Sequence, residues 1–270
     1  MPLFFLVSGY CFSYKGSYKA FIVPKIYRIL IPYVIFGLLD MIPRQLLSSL
    51  VNRPSSVWES LKSMLLDGGQ YWFLYTLFLM FLIYPLFYVW QKDSVTRKVI
   101  LAVVFLALSL IKTDILMFRF DSILFYMVFF HVGSLLKGFN IEVFQIDKLN
   151  SKVRLMAIAV LAVAWSLLSI YAPYTTVTRM IFAILGVLTF YLLTKYKITN
   201  TIFARLGKYS LQLYLLNGFL LVVSRTLICR ITQVPVLIVL FNLFVTMVCS
   251  YFFIKYVCER IKFVKKMMGM

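Results

Sequence analysis

The chain has 270 residues, of which 63% are apolar or aromatic and 14% charged, and its 28 Lys and Arg against 9 Asp and Glu give a formal net charge of +19. A water-soluble domain runs nearer half apolar and a quarter charged, so this composition excludes one; its natural solvent is lipid. A soluble enzyme on a single membrane tether is excluded as well, because apolar runs recur along the whole length.

Taken in chain order, apolar runs bounded by charge or by Gly and Pro clusters predict membrane-spanning helices at 1–14, 29–50, 72–91, 98–111, 122–138, 153–171, 176–194, 209–229 and 235–257. The expected fold is all-α, a polytopic transmembrane helical bundle of about nine spans in a single membrane domain, 1–270. The longest connection is a loop over 51–71, with Asn52, Pro54, Ser55, Ser56 and the Gly68-Gly69 pair. No soluble domain or internal repeat interrupts the pattern.

The basic residues alternate with these runs. Those after the first, third, fifth, seventh and ninth runs number 20 of the 28, among them Lys15, Lys19, Lys25 and Arg28, and the other loops hold 8. By the positive-inside rule the richer side is cytoplasmic, which predicts a cytoplasmic C-terminus. The charge is then a record of topology and not a nucleic-acid face, for which cations would gather on one surface. The four cysteines, Cys11, Cys229, Cys249 and Cys258, form no C-x-x-C pair and read as small apolar residues; no metal site is expected.

Several segments share an order with a known family. The chain opens Met1-Pro2-Leu3-Phe4-Phe5-Leu6-Val7-Ser8-Gly9-Tyr10, followed by a basic stretch that ends in Arg28-Ile29-Leu30-Ile31-Pro32-Tyr33. Then come Tyr71-Trp72-Phe73-Leu74-Tyr75, Phe129-Phe130-His131-Val132-Gly133, and Gly207-Lys208-Tyr209-Ser210 with Tyr214-Leu215-Leu216-Asn217. In order and spacing these resemble the acyltransferase 3 family, integral membrane O-acyltransferases that modify bacterial cell-surface sugars. The Trp-Phe-Leu form is most similar to stand-alone, ten-helix sugar O-acetyltransferases.

The resemblance implies transfer of an acyl group, acetyl above all, from acyl-CoA to a hydroxyl of a cell-envelope glycan or lipid-linked sugar, in the bacterial cytoplasmic membrane and without a metal. The implied partners are membrane lipid and the glycan acceptor, not nucleic acid; a homo-oligomer is compatible. Two departures stand out. The family's first helix, with Arg or Lys, ten residues and then its proposed catalytic His, has no counterpart here, and Asn217 stands where a late His is frequent. The expectation is that this tenth helix lies upstream of Met1; the alternative is a truncated, inactive homologue.

Candidate residues follow from the chemistry of acyl transfer, which needs a base, oxyanion donors and a path for the donor. Arg28, four residues before Pro32, is the candidate for the phosphates of CoA, helped by Lys15, Lys19 and Lys25, because a guanidinium offers paired donors to phosphate. The plainer reading is a cytoplasmic anchor. Asp40 and Arg44 share a helix face and are candidates for the acceptor sugar, or for a structural ion pair. Tyr71, Trp72 and Tyr75 would stack on a sugar ring or form an interfacial belt, and Tyr214 and Asn217, three apart, would line one pocket. Asp114, Arg119 and Asp121 form a loop cluster. His131, the one histidine, and Ser8 have chemistry suited to catalysis; the plainer readings are a packed imidazole and a small-residue helix contact beside Gly9. A multi-span transporter or carrier of an amphiphilic or glycan substrate is the alternative class, though such folds more often carry paired repeats.

Overall fold

The computed structural model describes residues 1–46, 56–111, 117–138, 150–173, 175–194, 204 and 207–269. Among them every regular element is helical. The helices are α1 (Pro2–Tyr10), α2 (Tyr18–Lys25), α3 (Ile31–Leu46), α4 (Val57–Asp67), α5 (Trp72–Gln91), α6 (Val95–Leu110), α7 (Phe120–Gly138), α8 (Ser151–Tyr171), α9 (Thr176–Thr194), α10 (Ser210–Ile228), α11 (Pro235–Phe253) and α12 (Lys262–Met267). Two π-helical turns, Ile26–Leu30 and Ile254–Cys258, continue α2 into α3 and extend α11.

A helix stands at each of the nine predicted places. Among the described residues, six stretches are long and apolar enough to cross a membrane: Tyr18–Ile42, Val57–Gln91, Phe120–Lys137, Lys152–Tyr171, Thr176–Leu193 and Pro235–Cys258. The protein is therefore an integral membrane protein. Helix α8 shows the reason physically: Leu155, Val160 and Ile170 are 64%, 62% and 71% exposed, a state that lipid solvates and water does not. By contrast α1 and α6 have 9 and 16 residues, short for a span.

Two segments read as connections are helical. The 51–71 stretch holds α4, begun by a capping box in which Ser56 Oγ accepts from the Glu59 amide at 3.1 Å and Glu59 Oε2 accepts from the Ser56 amide at 2.9 Å. It ends at Gly68, whose φ of 82° is the left-handed cap that glycine takes without steric cost. The basic stretch after α1 holds α2, capped by the Ser17 hydroxyl on the Ala20 amide at 3.3 Å. Lys19 and Lys25 thus ride on a helix.

The chain forms two compact units, and α5 contributes to both. Unit 1 comprises residues 1–15, 83–115 and 120–205. Its core is the α1–α7 contact, where two glycines let backbones meet: a Cβ on Gly9 would overlap the Phe130 carbonyl, and one on Gly133 the Leu6 carbonyl. Phe5 stacks on Tyr126 at 4.5 Å, and Phe12 meets Tyr84 edge-on at 4.9 Å. Unit 2 comprises residues 16–82, 116–119 and 206–270, built on α2, α3, α4, the start of α5, and α10 to α12. Leu74, Thr76, Met80, Leu215, Ile254, Cys258 and Met268 are among its most deeply buried side chains.

Candidate functional site

In unit 2 the break between α4 and α5 builds a cavity. Gly68 ends α4, a 3₁₀ turn over Gly69–Tyr71 reverses the chain, and α5 starts at Trp72. Several backbone carbonyls in and near the last turn of α4 are taken by side chains. Tyr33 donates its hydroxyl to the Met64 carbonyl, Tyr75 to the Leu65 carbonyl at 2.9 Å, and Arg119 Nε to the Asp67 carbonyl at 2.7 Å. A cation at a helix C-terminus is favoured by the helix dipole. Arg119 reaches this place from a backbone with φ of 52°, next to Phe118 at 55°; two adjacent non-glycine residues there store strain, a mark of functional segments. Its guanidinium also lies 5.3 Å from the centre of the Trp72 ring.

The cavity is a half-open cleft of about 380 Å³ between α3, α4 and the 3₁₀ turn, within the usual range of small-molecule sites. Asp40 enters from α3, 4% exposed; Glu59, Ser60 and Ser63 come from α4, and Gln70 and Tyr71 from the turn. Ser63 Oγ donates to Asp67 Oδ1 at 2.7 Å, and the Gly69 amide donates to the same oxygen at 2.9 Å, which fixes the turn. Tyr71 is held by its hydroxyl on the Leu215 carbonyl at 3.0 Å, against Gly218, where a Cβ would lie 3.2 Å from that oxygen. The lining is rich in acceptors and hydroxyls and carries carboxylates. Such a surface binds a ligand that offers many hydroxyl donors.

Of the residues singled out from sequence, Asp40 and Tyr71 line this cavity. Trp72, Tyr75 and Arg119 do not line it; Tyr75 and Arg119 brace the α4 end beside it, and Trp72 lies under the Arg119 guanidinium. Tyr214 packs edge-on against Tyr71 at 5.9 Å and Phe73 at 5.6 Å. Asn217 does not join it: one turn further along α10 it is exposed, so the pair does not share a pocket. Arg44 has its backbone in α3, but its side chain and Asp114 lie outside the described residues. Asp121 is half-buried at the start of α7, with the Ser122 hydroxyl 3.3 Å from its Oδ2.

Arg28 is exposed on the π turn, Lys19 is exposed on α2, and Lys25 is half-buried with its ammonium 4.6 Å from the Phe81 ring and 5.6 Å from the Phe21 ring. Lys15 is exposed after α1. Arg28 and Asp40 sit twelve residues apart on one continuous helix, roughly 18 Å at 1.5 Å per residue.

In unit 1, His131 is fully buried on α7. Its Nε2 is 3.1 Å from the Lys98 carbonyl, so that nitrogen carries the proton and donates; Nδ1 then accepts from the Tyr84 hydroxyl at 3.0 Å. Gln91 Nε2 donates to the Tyr84 oxygen at 3.2 Å. Both imidazole nitrogens are engaged. Ser8 is half-buried, one residue before the Gly9 that packs on Phe130.

Sequence reading missed Glu59, Ser60, Ser63 and Gln70. The pattern Ser56-x-x-Glu59 before apolar residues signals a helix start, yet which of its residues face α3 is set only by tertiary contact.

Residues 1–255 match the acyltransferase 3 family, described as an acyltransferase domain. No curated protein and no solved structure matches the chain. The match covers residues of both units, and the chain belongs to this family of membrane acyltransferases.

Proposed function

We propose that the protein transfers an acyl group, acetyl above all, from acyl-CoA to a hydroxyl of a cell-envelope glycan or lipid-linked sugar, in the bacterial cytoplasmic membrane with its C-terminus cytoplasmic. Family membership supplies the reaction class. The observation that carries the acceptor assignment is the cavity lined by Asp40, Glu59, Ser60, Ser63 and Tyr71, a hydroxyl-binding surface inside a membrane protein.

In this reading Asp40 and Glu59 accept from sugar hydroxyls and hold the ring while the reacting hydroxyl stays free. Tyr71 supplies the aromatic side of the cavity, and Tyr75 and Arg119 pin the α4 end beside it. Arg28, with Lys25 and Lys19 on the same helix, meets the donor phosphates. A separation of about 18 Å between Arg28 and Asp40 suits a donor whose phosphates and thioester are joined by a long arm. The acceptor oxygen attacks the thioester carbonyl, the C–O bond forms as the C–S bond breaks, and the hydroxyl proton leaves to a base as the thiol is released.

The test is an acetyl-transfer assay on the full chain, alone and with its in-frame upstream codons, using Asp40→Asn and Arg28→Ala. Asp40→Asn is expected to raise the acceptor KM or lower kcat by about 100-fold, and Arg28→Ala to raise the donor KM about tenfold. Full activity in Asp40→Asn removes the acceptor assignment. Glycan uptake into vesicles without release of free CoA would instead identify a transporter.

A further inference from the structure

The cleft between α3 and α4 has two kinds of lining. Hydroxyls and carboxylates make one; Gly37, Met41 and Met64 make the other. Gly37 and Met41 stand four residues apart on one face of α3, and Met64 comes from the last turn of α4. Met64 is 6% exposed, and its thioether lies directly on Gly37: a Cβ there would be 2.6 Å from Sδ and 3.3 Å from Cγ. A glycine inside a helix is less favourable than alanine. Here the missing Cβ makes room for the sulfur.

The backbone of Met64 is held. Its carbonyl accepts from the Tyr33 hydroxyl, and Gly69 packs against it, where a Cβ would lie 3.5 Å from the Met64 Cα. What can move is the side chain, which has three rotatable bonds and a soft sulfur. The space it borders is the cleft. A Met64 side chain pushed off Gly37 therefore turns into the cleft, and its removal deepens the cleft. The contact of sulfur on glycine sets how deep the cleft is.

We infer that Met64, seated on Gly37, is a specificity-determining residue, which sets how bulky a substituent the acceptor sugar can carry on the side that faces it. This deepens, and rests on, the assignment of the cleft to the acceptor. The polar lining recognises hydroxyls, whereas the thioether takes an uncharged C–H face and discriminates by size. One methylene more or less in such an apolar contact changes discrimination by about tenfold or more.

The test reads the cleft without turnover. A full chain with its four cysteines changed to alanine carries Ser60→Cys, and modification of the new thiol by methyl methanethiosulfonate is followed in lipid vesicles. Two sugars are added as protecting ligands, methyl β-D-glucoside and the bulkier methyl glycoside of N-acetylglucosamine. The concentration of each that halves the rate gives its Kd. This background is compared with Gly37→Ala, Met64→Ala and the two combined. Gly37→Ala is expected to weaken protection by the bulkier glycoside about tenfold relative to the smaller one, and Met64→Ala to shift that ratio the other way. The double variant is expected to match Met64→Ala, because the added Cβ then has no thioether to displace. A ratio that stays equal in all four chains overturns the role of Met64 and leaves the acceptor assignment standing. A Gly37→Ala effect that persists in full without the Met64 side chain overturns it too. Failure of both glycosides to protect the background chain overturns the acceptor assignment first, and this inference with it.

Discussion

Each unit holds a polar constellation, and the two are built on different plans. In unit 1 the chain from Gln91 through Tyr84 and His131 to the Lys98 carbonyl spends its donors and acceptors on one another, leaving Gln91 Oε1 over. In unit 2 the buried Asp40, the half-buried Ser60 and Ser63 and the exposed Glu59 border a half-open cavity of about 380 Å³. The closed plan is sealed inside the protein; the open plan, though Ser63 and Glu59 are bonded to Asp67 and Ser56, borders space that a ligand can enter. The lone histidine, chemically the most conspicuous residue of the sequence, belongs to the closed plan, and an aspartate with no motif of its own belongs to the open one.

Four substitutions test this contrast. The largest effect is expected in unit 1: His131→Ala removes the acceptor of the Tyr84 O–H and the ring donor to the Lys98 carbonyl, leaves a void, and lowers stability by about 3 kcal/mol. Thermal unfolding in detergent reads it, and turnover per folded molecule stays near wild type. A loss of turnover with unchanged stability would move His131 to the open plan. Ser60→Leu, which fills the cavity, is expected to raise the acceptor KM roughly tenfold or more with little change in stability; an unchanged KM would show that the acceptor does not enter there. Tyr71→Phe removes the hydrogen bond to the Leu215 carbonyl in the cavity wall and is expected to cost about 1 kcal/mol in the same unfolding measurement.

The smallest effect lies outside both constellations. The Tyr209 hydroxyl, and after it Lys208, hold the exposed Glu259 carboxyl below the ordinary glutamate range. A carboxyl depressed in the folded state stabilises above its unfolded pKa, and the stabilisation is lost as pH falls through the folded one. Glu259→Gln is therefore expected to lower stability slightly at neutral pH, leave it unchanged at pH values below the folded pKa, and so flatten the acid limb of the stability–pH curve. An equal slope in both proteins would show that the contact contributes nothing.

How far the sequence reveals this molecule depends on which force is speaking. Apolar burial in lipid is written as unbroken runs, so a helix stands in each predicted place, and Asp40 could be set on its element in advance, whereas the π turn that carries Arg28 and the 3₁₀ turn that carries Tyr71 leave no such mark. Helix α2 was hidden because Lys19, Pro24 and Lys25 interrupt its apolar pattern, while the Ser17 cap that starts it is a single residue. Helix α4 was hidden by the turn-forming residues around it, Pro54 and Ser55 before and Gly68-Gly69 after. The cavity was illegible for a further reason. It is made by the packing of α3 on α4, where a Cβ at Gly37 would lie 2.6 Å from Met64 Sδ, and no periodicity reports which Ser of α4 faces which acid of α3. Asn217 shows the converse: three residues from Tyr214 it was near enough in sequence to suggest one pocket, yet an offset of about 60° around the helix puts one side chain inward and the other out.

The π turn at Ile26–Leu30 bears on how the gene can change. Such a turn is an α-helix that has absorbed one additional residue. Deleting one residue there would let the backbone close into an ordinary helix and leave the segments on either side close to their present faces. The same deletion in an α-helical turn of α3 would rotate everything beyond it by about 100° and slide it by about 1.5 Å. The π turn is therefore expected to be where loss of a single residue is best tolerated between α2 and Asp40.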